Sequence, residues 1–366
     1  MTFRPESLRI GGEFEFDPEA YEGSGRAEPI VGPANRERLW TDTGRSALFI
    51  AASAIRHSGG KRRAWVPAFS CASIPQALSQ AGLDVRYYSA GLDPGRERPL
   101  PQPERGETLL FIHYFGHRNV PMAHASEAYR AAGIRVIEDC VQGSLMQGLG
   151  DCGDFAVTSY RKLLPVVDGA ALFSRAPLDL PAMQLPLAEP DEPFISAKLI
   201  GKMMRGSDAS TEAFLPLFEF SEDRLEGRVV PRRMSWLSKW MMARLDWKAA
   251  ADKRRANWSS LSAGFGAANI ADQVRPVFDA LQPDDVPLGF PVRVAGGQRD
   301  GLRRFLAGEE IYCPVHWPLG HVGGLDAFPD EQDLESSLLT LPIDQRMAPA
   351  HVQRLLEASV SFFARH

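Results

Sequence analysis

The sequence predicts an α/β fold: a large domain with a mostly parallel central sheet, followed by a smaller α+β C-terminal domain. Three observations carry this. Apolar runs of strand length recur at 64–69, 85–89, 108–115, 135–139, 154–160 and 169–174. Stretches with helical spacing of their apolar residues lie among them, at 41–55, 74–80 and 123–132. Beyond about residue 240 the pattern changes to a few strands and amphipathic helices. With 366 residues, 44% of them hydrophobic, the chain can fill two unequal domains, and it is neither disordered nor collagen-like in composition.

Residues 1–40 are polar, rich in Gly, Pro and Glu, and read as an irregular arm. Next, Ala47, Leu48, Ala51, Ala54 and Ile55 share one helical face between a Thr-Asp-Thr-Gly start and a Ser-Gly-Gly stop. AWVPAF at 64–69 is a strand, 74–80 a helix and 85–89 a strand. TLLFIHYF at 108–115 reads as a buried strand. A helix at 123–132 leads to the strand RVIED at 135–139, then DFAVTSY at 154–160 and GAALFS at 169–174. Residues 175–235 are mixed and open on a Pro-rich connection. Residues 235–265 look largely helical, with Trp236, Trp240, Met241, Leu245 and Trp247 on them. The last part offers strands at 291–294 and 311–315 and helices at 298–306 and 349–365. The domains are placed at 1–240 and 241–366.

The 46 acidic and 41 basic residues give a net charge of −5. This does not point to nucleic-acid or membrane partners, while leaving room for a local basic pocket. No apolar run has the length of a membrane span, and MTFRPESLRIGGEFEF lacks the apolar stretch of a signal peptide, so a cytoplasmic location is expected. Cysteines 71, 140, 152 and 313 form no C-x-x-C pair, which fits free thiols in a reducing compartment. No metal site is expected: His113 and His117 are four apart, but on and just after a strand rather than on one helix face.

GLGDCG at 148–153 spells G-x-G-x-x-G. A dinucleotide fingerprint needs a strand before it and a helix after it. Here a strand follows, and Asp151 and Asp154 would repel a pyrophosphate, so the segment reads as a turn. Gly44-Arg45-Ser46 opens a helix, whose free N–H groups and positive dipole end can hold a phosphate. Asp139 ends a buried strand, where a carboxylate either faces a ligand crevice or caps a helix. Lys162 follows another strand within an apolar neighbourhood, with Ser159 three residues upstream. Alone, such a lysine is usually a solvated charge. Together, a phosphate-binding helix start, an anion for a pyridinium nitrogen and a reactive lysine are the needs of pyridoxal 5′-phosphate (PLP).

At these residues the chain resembles the fold type I PLP-dependent aminotransferases, and within them the DegT/DnrJ/EryC1/StrS group, many of which aminate nucleotide-linked keto-sugars. TGRSAL at 43–48, VPAFSCASIPQAL at 66–78, VIEDCVQ at 136–142 and SYRKLLPVVDGAAL at 159–172 carry the resemblance. RRMSWL at 232–237, VHWPLGH at 315–321 and LTLPIDQRM at 339–347 extend it weakly, in the same order. The resemblance implies that Lys162 is the Schiff-base lysine and proton shuttle, that Asp139 pairs with the pyridine nitrogen and that Gln142 approaches the ring hydroxyl. Gly44, Arg45, Ser46 and Ser159 would bind the phosphate. Cys71 falls where the family often has an aromatic stacked on the ring, so Phe69, His113 or Tyr114 could cover it instead. His316 would lie near the substrate. Pro231 stands near the family's Asn that reaches a partner subunit's phosphate, leaving Arg232 or Arg233 to replace it. Arg205, Arg224, Arg228, Arg232 and Arg233 supply local positive charge for an anionic acceptor, or simply a solvated surface.

The implied activity is transfer of an amino group from an amino acid, glutamate first, to a keto or aldehyde acceptor. A homodimer with shared active sites is the implied assembly. The same residues would also serve another PLP chemistry (dehydration, elimination or decarboxylation), or a non-catalytic binding module on this scaffold.

Overall fold

The computed structural model describes residues 9–22, 32–33, 35–92, 99–207, 210–227, 229–268 and 270–365. Its elements in chain order are β1 (Ile10–Gly11), β2 (Glu37–Thr41), α1 (Gly44–His57), β3 (Arg63–Pro67), α2 (Ser73–Gln80), β4 (Asp84–Tyr88), β5 (Thr108–Ile112), α3 (Val120–Ala131), β6 (Arg135–Asp139), β7 (Phe155–Val157) and β8 (Ala170–Ser174). Then come α4 (Glu192–Gly206), α5 (Thr211–Asp223), α6 (Trp236–Met242), α7 (Trp247–Ala267), β9 (Val274–Pro276), β10 (Phe290–Val294), α8 (Arg299–Gly308), β11 (Ile311–Tyr312), α9 (Pro329–Ser337), β12 (Leu338–Leu341) and α10 (Pro349–Arg365).

The central sheet has seven strands in the order β2-β8-β7-β6-β5-β3-β4. The pairs β4–β3, β3–β5, β5–β6 and β6–β7 are parallel; β8 runs antiparallel to both neighbours. The mostly parallel sheet expected from the alternation is therefore present. All five residues of β5 and of β8 are buried, which is why their sequences read as unbroken apolar runs. The parallel register aligns Ile112 with Asp139 and Asp139 with Val157. Three strands thus end on one edge, with Asp139 in the middle.

Helix α1 packs on β7 and β8 through Ala47, Leu48, Ala51, Ala52 and Ile55. Alanines on that face let the helix approach the sheet closely. Thr43 caps it, its hydroxyl accepting the Ser46 N–H. The N-terminus of α1 points to the edge on which β6 and β7 end: a Cβ on Gly44 would lie 3.3 Å from Val141 Cγ2 and 3.8 Å from the Thr158 carbonyl.

A second core gathers β9, β10 and β12, an antiparallel sheet, with α8, α10 and the latter half of α7. Helix α7 spans both cores: Trp247 and Ala250 pack with the large sheet, and Trp258, Leu261 and Phe265 with the small one.

Several elements depart from the sequence reading. The arm contains β1, paired to β11, and β2, an edge strand whose polar residues hide its pattern. The helical stretch 235–265 is two helices, because Asp246 caps a new start at Trp247. The mixed stretch contains α4 and α5. On α4 the buried face carries Lys198, Lys202 and Arg205, one turn apart, so a search for apolar periodicity passes over it.

Candidate active site

The sheet edge supplies the first group. Asp139 is 3% exposed, and its Oδ1 accepts the Val141 N–H at 2.9 Å. Burial pushes its carboxyl above the usual carboxylate range, opposed by that hydrogen bond and by the positive charge of Lys162. A short 3-10 turn at Val141–Gly143 carries Gln142 inward, where its Oε1 accepts the Phe115 N–H at 2.5 Å. Ser159, also buried, starts the 3-10 turn Tyr160–Lys162, and its N–H donates to Ser144 Oγ at 2.8 Å. With Gly44 packed against Val141, the structure brings Gly44, Ser46, Asp139, Gln142 and Ser159 to one corner of the sheet.

Lys162 lines a cavity of about 780 Å³ whose far walls come from β1, α8, β11 and the end of β12. His316 lines the same cavity, its Nδ1 2.9 Å from Thr340 Oγ1. Burial, then the nearby charge of Lys162, pushes this imidazole down to about 3, so it is neutral at ordinary pH. Phe115 supports it from behind, ring centroid at 5.5 Å, and stacks on Trp317 at 18°.

A chain of charges holds another wall. Arg161 donates to Glu222 at 2.8 Å, Lys198 bridges Glu222 and Glu13 at 2.7 Å each, and Lys202 reaches Glu13 at 3.2 Å. Lys198 and Lys202 are almost fully buried, and their charges hold the Glu13 carboxyl far below its usual range against the cost of burial. The result straps the N-terminal segment 11–14 along the cavity. Sequence reading missed Glu13, Lys198 and Glu222. The available signal was the cation spacing on α4 opposite the acidic EFEF of the arm.

The remaining expected residues sit as follows. The Arg45 guanidinium turns to the end of α5, donating to the Leu225 carbonyl and to Glu226 Oε1, rather than to the start of α1. Cys71 is half-buried, accepts from Ser73 Oγ at 3.1 Å and packs on the large core. The aromatic group nearby is Phe69 with Trp317 at 5.2 Å, and Tyr114, whose hydroxyl donates to the Phe69 carbonyl at 2.7 Å. Arg233 is on the surface, its side chain 58% exposed and 3.8 Å from Glu189, away from the cavity. Arg205, Arg224 and Arg232 are paired with Glu15 or Asp191, and Arg228 lies outside the described residues.

The GLGDCG turn has a different use. The N–H groups of Gly150, Cys152 and Gly153 donate to the Glu138 carboxylate at 2.9, 2.9 and 3.2 Å. The loop binds an anion, and that anion is the chain's own side chain, one residue before Asp139.

No family model matches the chain, and no curated protein matches it. Solved structures do. PseC from Helicobacter pylori, an aminotransferase involved in pseudoaminic acid biosynthesis, is similar at TM-score 0.71 and 12% identity, covering 98% of this chain and 100% of that one. A DegT DnrJ EryC1 StrS aminotransferase from Brucella abortus is similar at 0.60 and 16%, covering 95% and 91%. NtdA from Bacillus subtilis, with bound cofactor PMP, is similar at 0.62 and 17%, covering 96% and 79%. Over nearly its whole length, this chain has the fold type I architecture of these aminotransferases.

Proposed function

We propose that the protein is a PLP-dependent aminotransferase. It moves an amino group from an amino acid donor, glutamate first among those to test, to a keto or aldehyde acceptor. A nucleotide-linked keto-sugar is the first acceptor class to test. The observation that carries this is the convergence at one sheet corner: Lys162 on the cavity wall, Asp139 buried at the neighbouring strand end, and the start of α1 above both.

The residues fit the cofactor. When bound, PLP supplies an electron sink and a carrier for the amino group. Lys162 would hold its aldehyde carbon and move the proton at the substrate carbon. Asp139, shielded from water, would hold a proton on the ring nitrogen. Gln142 would approach the ring hydroxyl from the position fixed by Phe115. The N–H groups at Gly44 and Arg45, with Ser46 and Ser159, would take the phosphate. His316, neutral beside Lys162, is placed to accept a hydrogen bond from substrate. The aromatic cluster of Phe69, Tyr114, Phe115 and Trp317 keeps water from that side.

A homodimer with shared sites is part of the proposal. Trp236 is 74% exposed beside the 231–233 segment, and Val230 and Phe220 are also exposed. Such apolar surface is what a subunit partner would cover. Among the described residues no helix is long and apolar enough to cross a membrane. The four free cysteines support a cytoplasmic setting.

The test is spectroscopic. Wild-type protein incubated with PLP should gain the visible absorption of the lysine-linked cofactor, and Lys162→Ala should not. Addition of glutamate should convert it to the amine form, which sets an aminotransferase apart from other PLP chemistry. A wild type that takes up no PLP overturns the reading.

A further inference from the structure

One residue at the phosphate corner is out of keeping with a phosphate. Asp42 immediately precedes the Thr43 cap of α1 and is 7% exposed. Its Oδ1 accepts the Thr43 N–H at 2.7 Å and the Thr43 hydroxyl at 3.2 Å. Thr43 Oγ1 in turn lies 3.4 Å from Ser46 Oγ, which brings the Ser46 hydroxyl to the same corner. The Ser46 hydroxyl and the Gly44 and Arg45 N–H groups just beyond Thr43 are the ones an incoming anion would use, so this carboxylate stands directly beside them. Asp42 is also fixed in place: its N–H donates to the Arg232 carbonyl at 3.2 Å, and its carbonyl accepts the Gly169 N–H at 2.6 Å.

We propose that Asp42 occupies the anion slot at the start of α1, so that the phosphate of the cofactor enters together with a proton on Asp42. The inference rests on the PLP reading above. The charged groups facing Asp42 make the conflict sharp. Asp168, from the loop before β8, is buried and held by Ser235 through its N–H and hydroxyl. Arg161, after β7, is engaged by Glu222, and Arg45 on α1 is turned to Glu226. Burial raises the Asp42 carboxyl, the Ser46 hydroxyl opposes this, and Asp168 raises it further, to about 6. Near neutral pH this corner therefore holds a carboxylate. A phosphate monoester carries about −1.5 to −2 charges there, and two anions cannot share a buried helix start without a proton between them. Once protonated, Asp42 becomes a donor to a phosphate oxygen.

The experiment titrates PLP into full-length wild type, Asp42→Asn and Asp42→Ser between about pH 6 and 8. Calorimetry in two buffers of different ionisation enthalpy counts the protons taken up. Pyridoxal, which lacks the phosphate, is the control ligand. The wild-type Kd should rise with pH by up to about ten-fold per unit more than that of Asp42→Asn. Near pH 7.5 the wild type should take up close to one more proton than the Asn variant, with pyridoxal showing no such difference. Equal pH slopes and proton counts in wild type and variant overturn the inference and leave the cofactor reading standing. Failure of wild type and both variants to bind PLP overturns both. If a variant does not fold, as read by its thermal melt, a flat wild-type slope still overturns the inference.

Discussion

His113 Nε2 lies 3.0 Å from Glu138 Oε1, and neither residue is exposed to solvent. His113 Nδ1 accepts the Asn119 N–H at 3.0 Å, so Nε2 is the ring donor. The His113 backbone N–H in turn donates to the Asp139 carbonyl at 3.1 Å. The pair therefore ties the ends of β5 and β6 together and fixes the backbone that presents Asp139.

Glu138→Gln should destabilise the fold by about 2–4 kcal/mol, because an amide would set its own N–H groups against the loop donors. Burial raises the Glu138 carboxyl, but the His113 ring and the loop N–H groups outweigh it and bring it down to about 2 from 4.5. The folded state thus prefers the ionised form. This stabilisation is complete above about pH 4.5 and is lost as pH falls toward about 2. Urea unfolding between these limits should show an acid-dependent loss in wild type that the Gln variant lacks. A change under about 0.5 kcal/mol would contradict the assignment.

How much of this was legible follows from what each residue's neighbours are. Lys162, Asp139, Gln142 and Ser159 stand near the ends of apolar strands, so strand reading alone placed them near one edge. Glu138 was invisible as a partner, since its donors are backbone N–H groups twelve to fifteen residues on. Lys198 and Lys202 looked like solvated charges, because only the fold reveals Glu13 opposite them. The outward turn of Arg45 depended on the end of α5, a helix with Pro216 in its interior that lay unrecognised in the mixed stretch. Short-range pattern found the strands and the α1 start; long-range charge pairing lay beyond it.

Asp139→Asn should keep the fold and lose the chemistry. An amide oxygen can still accept the Val141 N–H, the local bond this side chain makes. It cannot hold a full negative charge against a ring nitrogen. Activity should fall by about 10²–10³ at unchanged melting temperature. A loss below ten-fold would remove Asp139 from that role.

His316 should give the protein an acid sensitivity of its own. Its imidazole is held down to about 3, by burial first and then by Lys162, from 6.5. The unfolded chain therefore binds a proton that the folded one refuses. Stability from this group is complete above about pH 6.5 and declines as pH falls below it. Between about pH 6.5 and 5 the loss should be on the order of 1 kcal/mol, allowing for the partial exposure of the ring. His316→Asn should flatten that slope in thermal melts. An unchanged slope would assign the sensitivity elsewhere.

Arg254 joins the two cores at Leu163, the residue after Lys162. It is almost fully buried on α7, and its Nη2 donates to the Leu163 carbonyl at 3.3 Å. Its other donors reach Gln345 Oε1 at 2.9 Å and the carbonyls of Pro287 and Leu288 at 3.2 and 2.9 Å. Gln345 Nε2 also donates to the Leu163 carbonyl, at 2.8 Å. Burial pulls the guanidinium down to about 10, so it remains charged at neutral pH and holds its position through geometry. Lysine keeps the charge and loses the planar fork. Arg254→Lys should therefore cost about 2–4 kcal/mol of stability. It should also lower kcat more than it raises KM, since Leu163 sets the turn that presents Lys162. Urea unfolding and steady-state kinetics read the two effects separately. A variant that melts lower with unchanged kcat would restrict Arg254 to holding the cores together.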